Sequence, residues 1–406
     1  MKTFQVPDFY KSPVISKIKQ FRKTSDPRKK DKSPYFLDLG PVGFYFGRHF
    51  GFCYGVENAI EISFKTVAEN PGKRIFLLSQ MIHNPEVNKD LQESGVDFLQ
   101  DTYGNQLIPF ETLTQEDVVI IPAFGTTVEI EKLLIEKGIE IQKYNTTCPF
   151  VERVWKKSEQ IGQENYTIII HGKYAHEETR ATFSRSEING KTIVIKDLNE
   201  AQLLAKYIRK DKDPSSFFED FKGKFSKNFN PEYDLKSVGV INQTTMLATE
   251  TQEIADYFKK VMIDLHGEDN LKTHFADTRD TLCYATNENQ ESTYGLMEAD
   301  ADLALVIGGY NSSNTTHLVE LLERKFPTFF ISSDKEIKSK TQINHFDYHH
   351  QTHKVSENYL PKKEKVKIIL SSGASCPDAE VEKVLMKIIS YFPDSQSLQT
   401  LLNNLA

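Results

Sequence analysis

The sequence predicts an α/β protein built from three similar domains with mostly parallel sheets. From residue 40 onward, strand-like apolar runs alternate with helix-like runs, which is the pattern of parallel α/β units. Three segments share one plan, in which a strand leads through a short polar loop to a cysteine and then a helix. The three cysteines are Cys53, Cys148 and Cys283. A repeat of this length indicates similar domains rather than a solenoid.

Each repeat continues with two further strands that end in polar residues. The second strands read RIFLLSQMIHNPEV, YTIIIHGKYAHEET and LALVIGGYNSSNTTHL. The third strands read VVIIPAFGTTVE, KSVGVINQTTML and VKIILSSGASCPDAEVE. Ligands of open parallel sheets collect at the carboxyl ends of the strands. If the three domains face one another, all nine polar strand ends can meet in one central cleft.

These patterns divide the chain into six segments. They are a basic, partly disordered N-terminal extension (1–38), a strand joining the third domain (39–52), domain 1 (53–147), domain 2 (148–279), domain 3 (280–392) and a C-terminal tail (393–406). Nine lysines and arginines lie within 11–32, a charge density typical of a solvated, partly disordered arm. A targeting segment and a docking arm for an acidic protein are the alternatives.

The composition excludes several classes of protein. Of the 406 residues, 39% are hydrophobic and 26% charged, as in ordinary globular chains. No apolar run reaches the roughly 18 residues of a membrane span, and the N-terminus has no continuous apolar region of the secretory type. The net charge of −7 argues against nucleic acid as a partner. Four cysteines are too few for a disulfide framework, so we expect reduced thiols in a cytoplasmic protein.

The three repeated cysteines predict a metal centre. A helix N-terminus favours the thiolate form of a cysteine, which is the form that binds metals. Structural zinc usually takes four ligands at short C-x₂₋₄-C spacings, and no such pair occurs here. An iron–sulfur cluster accepts widely spaced thiolates, and three of them would leave one iron of a four-iron cluster open. Cys376 ends a third strand and breaks the pattern, so we expect a thiol that is not a ligand.

The polar strand ends also predict an anion site. The loops GYNSSNTTHL and SSGASCPD precede helix-like runs, so backbone N–H groups, hydroxyls and amides can hold an anion there. His83 and His176 would add pH-dependent donors, and Glu178 is the carboxyl group best placed for general acid catalysis. No nucleotide-binding motif occurs. The histidine-rich segment 345–353 (HFDYHHQTH) lies in a polar connector outside the strand ends, so we expect no metal there.

Eight motifs carry a family resemblance. GFCYGVENAI, MIHNPEVNKDL, NTTCPFVERV, HGKYAHEET, INQTTML, DTLCYATNENQ, GGYNSSNTTHL and SSGASCPD occur in this order. Together they closely resemble the 4-hydroxy-3-methylbut-2-enyl diphosphate reductase family, in its plant-type branch, over residues from about 45 to 390. The resemblance implies a pseudo-threefold trefoil around a central [4Fe–4S] cluster. It also implies a reductive dehydroxylation that yields isopentenyl and dimethylallyl diphosphate, the last step of the methylerythritol phosphate route to isoprenoids.

The resemblance assigns roles to individual residues. The cluster ligands are Cys53, Cys148 and Cys283, and the proton donor is Glu178. The substrate contacts are His83, His176, Thr244, Thr245, Thr286, Ser312, Asn314 and Ser375. One position departs from the other branch of the family, because Phe124 stands where that branch has a third histidine. A phenyl ring cannot donate a hydrogen bond, so one diphosphate contact is absent or comes from Thr126 or Thr127.

Two other functions remain open at this point. A different iron–sulfur enzyme, such as a hydro-lyase acting on a small phosphorylated substrate, would turn over without a reductant. A cluster-free binding module for a phosphorylated ligand would be colourless. The family resemblance implies an electron donor of the ferredoxin or flavodoxin type. The basic arm would help to dock this donor. We expect no membrane partner. In a plastid-bearing organism the compartment would be the plastid stroma.

Overall fold

The computed structural model describes residues 4–28, 30–276, 278 and 281–403, with the side chains of residues 399 and 403 left out. The chain divides into two compact units. The first unit comprises Met1–Glu61, Ile82–Asp90 and Tyr284–Ala406, and the second comprises Ile62–Met81 and Leu91–Cys283. The division into three domains at the boundaries given above stays a prediction.

Strands and helices alternate through most of the described chain. The strands are β1 (Tyr35–Asp38), β2 (Val42–Phe46), β3 (Ile75–Leu77), β4 (Val96–Phe98), β5 (Val118–Ile120), β6 (Thr167–His171), β7 (Thr192–Ile195), β8 (Val238–Asn242), β9 (Phe275–Ala276), β10 (Leu303–Ile307), β11 (Thr328–Ile331), β12 (Gln342–Asp347), β13 (Thr352–Glu357) and β14 (Val366–Ser372). The helices are α1 (Pro13–Ser25), α2 (Tyr54–Glu69), α3 (Pro85–Glu93), α4 (Val128–Glu136), α5 (Pro149–Gln163), α6 (Glu177–Asn189), α7 (Leu198–Ile208), α8 (Phe217–Asp220), α9 (Ala248–His266), α10 (Leu271–His274), α11 (Tyr284–Met297), α12 (Ser313–Leu322), α13 (Asp378–Ile389) and α14 (Leu398–Asn403). No helix in this part of the chain combines the length and the apolar character that a membrane span needs.

The first unit contains a five-stranded sheet in the order β1-β2-β14-β10-β11. Its strands are parallel except for β1, which pairs antiparallel with β2. The central strands β10 and β14 are buried along most of their length, which explains their continuous apolar runs LALVI and VKIIL. A separate antiparallel hairpin is formed by β12 and β13.

The second unit contains two fully parallel sheets, in the orders β4-β3-β5 and β7-β6-β8-β9. Strands β3, β5, β6, β7 and β8 are buried at every residue. The α/β class with mostly parallel sheets is therefore confirmed. The trefoil arrangement of the sheets stays a prediction.

Helix α1 corrects the expectation of a partly disordered arm. Ser12 caps the helix by accepting a hydrogen bond from the Ile15 backbone N–H at 2.9 Å, and proline occupies the first turn. Ile15 and Ile18 are fully buried in the core of the first unit, and Lys19 pairs with Asp378 of α13 at 2.6 Å. The nine positive charges concealed this narrow apolar face, because lysine stems can cover a core edge while their heads stay in water.

Replacing Ile18 with alanine should lower the free energy of unfolding by about 2–5 kcal/mol, because it leaves a cavity in a packed core. Urea unfolding followed by circular dichroism measures this change. Lys23→Ala, on the exposed face of the same helix, is the matched control and should change stability by less than about 0.5 kcal/mol. Unchanged stability in Ile18→Ala would contradict the placement of α1 in the core.

Candidate active site

The three repeated cysteines occupy equivalent backbone positions. Each lies directly before a helix, α2, α5 or α11, and none of the four cysteines of the chain forms a disulfide. The backbone N–H of each donates to a carbonyl just beyond the third strand of a repeat. These bonds join Cys53 to Ala374 after β14 at 3.2 Å, Cys148 to Ala123 after β5 at 2.9 Å, and Cys283 to Thr244 after β8 at 3.2 Å. The cysteines and the helices after them are thus equivalent in the three repeats. The repeat of Cys148 departs from the predicted plan, because a 3-10 helix (Ile141–Tyr144) stands where the sequence predicts a strand.

Burial decides the protonation of Cys148. It raises the pKa of this thiol to about 12, although the backbone N–H groups at the start of α5 act in the opposite direction. The charges of Cys283 and Glu178 raise the pKa further, so these groups lie within electrostatic reach of Cys148. The helix N-terminus therefore favours the thiolate, as the sequence predicts, but burial outweighs it in the protein alone. A bound cation would offset the burial of the thiolate.

Glu178 lies in the first turn of α6 and is almost fully buried. Both carboxyl oxygens meet Thr244, whose backbone N–H donates to Oε1 at 2.6 Å and whose hydroxyl donates to Oε2 at 2.9 Å. Burial raises the pKa of Glu178 to about 7, and the hydrogen bonds from Thr244 oppose that rise. Glu178 is therefore largely protonated below about pH 7, where it can act as a proton donor.

His176 is the N-cap of the same helix. Its Nδ1 accepts a hydrogen bond from the Glu178 backbone N–H at 3.2 Å, so the neutral ring carries its proton on Nε2. The ring of Phe124 packs edge-on against His176, with centroids 5.5 Å apart. Phe124, which stands where the other branch of the family has a third histidine, thus packs against His176.

Two residues that sequence reasoning left without a role line this region. Glu177 is buried and accepts a hydrogen bond from the hydroxyl of Ser79, beside a cavity of about 150 Å³ that Arg180 also lines. Gln243 is buried as well, and its Oε1 accepts from the Lys173 backbone N–H at 3.2 Å and from the Thr179 hydroxyl at 3.0 Å. Its Nε2 donates to Thr245 at 2.7 Å. The HEE and NQTT motifs were the available signals, but sequence cannot show which neighbour is buried.

The first unit holds the other part of the predicted site. The hydroxyl of Ser375 donates to the carbonyl oxygen of His83 at 3.1 Å. Gly309 lies against the same carbonyl, and a Cβ there would collide with it, so only glycine allows this approach. Ser312 is the N-cap of α12 and accepts from the Thr315 backbone N–H at 3.3 Å.

Asn314 carries the clearest sign of a missing partner. Its side chain is buried, and its Oδ1 accepts from the Ala374 backbone N–H at 2.9 Å and from Asn289 Nδ2 at 3.2 Å. Its own Nδ2 has no hydrogen-bond partner within the described residues. A buried donor left unpaired costs free energy, so a ligand with acceptor oxygens would stabilise this arrangement.

The predicted site residues fall into two groups. The second unit contains Cys148, Cys283, His176, Glu178, Thr244 and Thr245, and the first unit contains Cys53, His83, Thr286, Ser312, Asn314 and Ser375. Cys376 is fully buried in the first unit, and burial together with Glu380 and Asp378 raises the pKa of its thiol. Within the described residues, no three His, Cys, Asp or Glu side chains converge as ligands of a single ion. Four-iron clusters do not require such convergence, because their ligands bind different irons.

Comparison with known proteins decides the family. Residues 45–389 match the profile of the family described as LytB protein. The chain belongs to the LytB protein family. A relative from Picosynechococcus sp. is 41% identical over 361 residues, which are 88% of this chain and 86% of the relative. A relative from Trichormus variabilis is 40% identical over 387 residues, 95% of this chain and 91% of the relative. Both are named 4-hydroxy-3-methylbut-2-enyl diphosphate reductase.

Solved structures agree with the family. A structure described as (E)-4-hydroxy-3-methyl-but-2-enyl diphosphate reductase, the terminal enzyme of the non-mevalonate pathway, matches with a TM-score of 0.50 and 26% identity. The match covers 85% of this chain and 98% of that one. The E-1-hydroxy-2-methyl-but-2-enyl-4-diphosphate reductase from Plasmodium falciparum matches with a TM-score of 0.60 over 86% of this chain and 89% of that chain. At 21% identity, this second likeness supports the fold alone.

Proposed function

We propose that this LytB family member catalyses the reductive dehydroxylation of 4-hydroxy-3-methylbut-2-enyl diphosphate to isopentenyl and dimethylallyl diphosphate, the last step of the methylerythritol phosphate pathway. The observation that carries the proposal is identity of about 40% to reductases of that name over most of the chain. The reaction takes up two electrons and two protons. One proton leaves with the allylic hydroxyl as water, and the other goes to carbon.

Cys53, Cys148 and Cys283 would hold a [4Fe–4S] cluster with one iron open. Their equivalent backbone positions and the cost of burying the Cys148 thiolate without a cation support this ligand set. When bound, such a cluster transfers single electrons and offers a Lewis acid at its open iron. Cys376 is not part of the set, because its side chain is enclosed in the apolar core of the first unit.

The side chains divide the remaining work between anion binding and proton transfer. Asn314 Nδ2 and the hydroxyl of Ser312 would donate to diphosphate oxygens, together with the α12 N-terminus. The hydroxyl of Ser375 would join them by turning its proton from the His83 carbonyl to the diphosphate. His83 and Thr286 belong to the same proposed set.

In the second unit, His176 would donate through Nε2, and Thr244 and Thr245 would contact the substrate. Glu178 would deliver the proton that turns the hydroxyl into water, since hydroxide is a poor leaving group.

The electron donor is proposed to be an acidic carrier of the ferredoxin or flavodoxin type. The exposed side chains of Lys23, Arg28 and Lys30 follow or end α1 and present positive charge to solvent. Such a patch steers an acidic partner and does so less at high salt. Four cysteines without a disulfide suit a reducing compartment, the cytoplasm or the plastid stroma of a plastid-bearing organism.

Turnover should fall as the pH rises through about 7, because Glu178 donates only in its protonated form. Glu178→Gln keeps the shape and the hydrogen-bonding capacity but has no proton to transfer. Its turnover should be slower by roughly 10²–10⁴-fold and should lose this pH dependence. Stopped-flow kinetics between pH 6 and pH 9 would measure both effects.

Glu177→Gln is the matched control for this prediction. Its amide oxygen can still accept the hydrogen bond from Ser79, so turnover and its pH dependence should stay near those of the wild type. If Glu177→Gln abolished the pH dependence and Glu178→Gln did not, the proton donor would be the wrong glutamate.

Serine in place of Cys53, Cys148 or Cys283 should each remove the brown iron–sulfur chromophore and the activity, while Cys376→Ser should keep both. Anaerobic reconstitution, followed by iron and sulfide analysis and by turnover with a chemical reductant, measures this. Conversion of the substrate without any reductant would favour the alternative, an iron–sulfur hydro-lyase. Loss of the chromophore in Cys376→Ser would contradict the three-ligand set.

Changing Lys23, Arg28 and Lys30 together to glutamate should slow turnover driven by the acidic carrier and leave turnover with a small reductant unchanged. Charge reversal is preferable to deleting the arm, because deletion would also remove Ile15 and Ile18 from the core. The effect should shrink as salt is raised to about 0.5 M. Identical carrier-driven rates in the variant and the wild type at low salt would exclude the arm as a docking surface.

A further inference from the structure

The histidine-rich segment 345–353 forms most of the β12–β13 hairpin of the first unit. Its histidines do not converge on one point. His349 Nε2 lies 2.8 Å from Glu323, His350 Nδ1 lies 2.8 Å from Asp347, and the ring of His353 contacts aromatic rings. The segment that the sequence presented as a polar connector is therefore an ordered element with contacts of its own.

Two residues close to the turn of the hairpin contact the ring of Tyr310. Phe346 and His353 are direct cross-strand partners, and their rings lie 5.3 Å apart. The ring of Tyr310 stacks on Phe346 at 4.7 Å and meets His353 edge-on at 5.1 Å. The ring of Tyr310 also meets Phe330 edge-on at 5.1 Å, and its hydroxyl accepts from the Ser332 backbone N–H at 3.2 Å. The Tyr310 ring is thus held by the hairpin and by β11.

The turn of the hairpin makes a second set of contacts, with the residue that ends α12. The hydroxyl of Tyr348 donates to Glu323 at 2.5 Å, and His349 contacts the same carboxylate oxygen. Glu323 is the C-cap of α12. The turn itself is fixed by Asp347, whose Oδ1 accepts from the backbone N–H groups of His349 at 3.0 Å and His350 at 3.2 Å. The hairpin is therefore fastened to α12 through a preorganised turn.

The two attachment points, Tyr310 and Glu323, lie on either side of α12 in the chain. The N-terminal end of that helix carries the proposed diphosphate donors Ser312 and Asn314. Tyr310 lies two residues before Ser312, the N-cap of α12, and Glu323 directly follows the last residue of that helix. Asn314, with its unpaired buried Nδ2, lies in the first turn between them. The hairpin contacts none of these donors in the bonds described, so it can act on them only by holding the loop and the helix that carry them.

We propose that the β12–β13 hairpin is a brace that positions the Ser312–Asn314 loop for the diphosphate, with Tyr310, Phe346 and His353 as positioning residues. This inference rests on the proposed function, since it assumes that the loop binds a diphosphate. The aromatic contacts favour a single orientation of Tyr310, and they lower the cost of ordering the loop when the anion binds. Loss of the brace should therefore weaken anion binding and leave the proton-transfer machinery of the second unit intact.

His353→Ala and Phe346→Leu test the brace. His353 is exposed, so its removal should not unfold the protein, and leucine at 346 keeps apolar volume while removing the ring stack. Each variant should raise KM for the allylic diphosphate, and the Kd for inorganic diphosphate by calorimetry, about fivefold. The value of kcat should stay within about twofold of the wild type, which separates positioning from catalysis. Val355→Ala is the matched control, because Val355 lies on the same strand β13 and is 60% exposed.

The outcomes separate the brace from the proposed function. A wild type that neither turns over the allylic diphosphate nor binds inorganic diphosphate would overturn the proposed function, and the brace with it. A wild type that does both, with His353→Ala and Phe346→Leu at wild-type KM and Kd, would overturn the brace alone. If either variant lowered the melting temperature and kcat together without changing Kd, the hairpin would serve stability and not positioning, which also overturns the brace.

Discussion

The hydrogen bond from each cysteine N–H to the carbonyl beyond a third strand is the constraint on which the site depends. Each accepting residue, or the residue directly after it, also contacts the side chain of a predicted site residue. Thr244 accepts from Cys283 and donates to both oxygens of Glu178. Ala374 accepts from Cys53 and donates to Asn314. Ala123 accepts from Cys148 and is followed by Phe124, which packs on His176. In each repeat, one backbone hydrogen bond therefore positions a cysteine close to a second polar side chain, which is Glu178, Asn314 or His176.

Burial dominates the electrostatics of the second unit. The N-terminus of α5 favours the Cys148 thiolate, and two hydrogen bonds from Thr244 favour the Glu178 carboxylate, yet both pKa values are raised. The reason is that desolvation of a buried charge outweighs a few oriented N–H dipoles. For Glu178 the consequence for folding has a definite sign. Its pKa is higher in the folded protein than in the unfolded chain, so its contribution makes the folded state less stable as the pH rises toward and through 7.

Sequence predicted the parallel sheets and the equivalence of Cys53, Cys148 and Cys283, because buried strands and a cysteine before a helix leave local signatures. It predicted a strand before Cys148, where a 3-10 helix forms instead. It failed at α1, where two isoleucines at i and i+3 were outweighed by nine charges. It failed again at the β12–β13 hairpin, because the Phe346–His353 pair exists only in the cross-strand register. The burial of Glu177 was equally hidden, since its partner Ser79 is distant in sequence. Local patterns were visible, whereas contacts that need the tertiary fold were not.

The pairing of β2 with β14 has a consequence for synthesis on the ribosome. Val42 is the register partner of Val366, so most of the chain must be made before this pair can form. The second unit is drawn mainly from the continuous stretch Leu91–Cys283 and can assemble while translation continues. The first unit has a much higher contact order and closes only when β14 emerges. Until then β2 and α1 expose apolar side chains, including Phe44 and Ile18, and exposed apolar surface of this kind favours aggregation of a nascent chain.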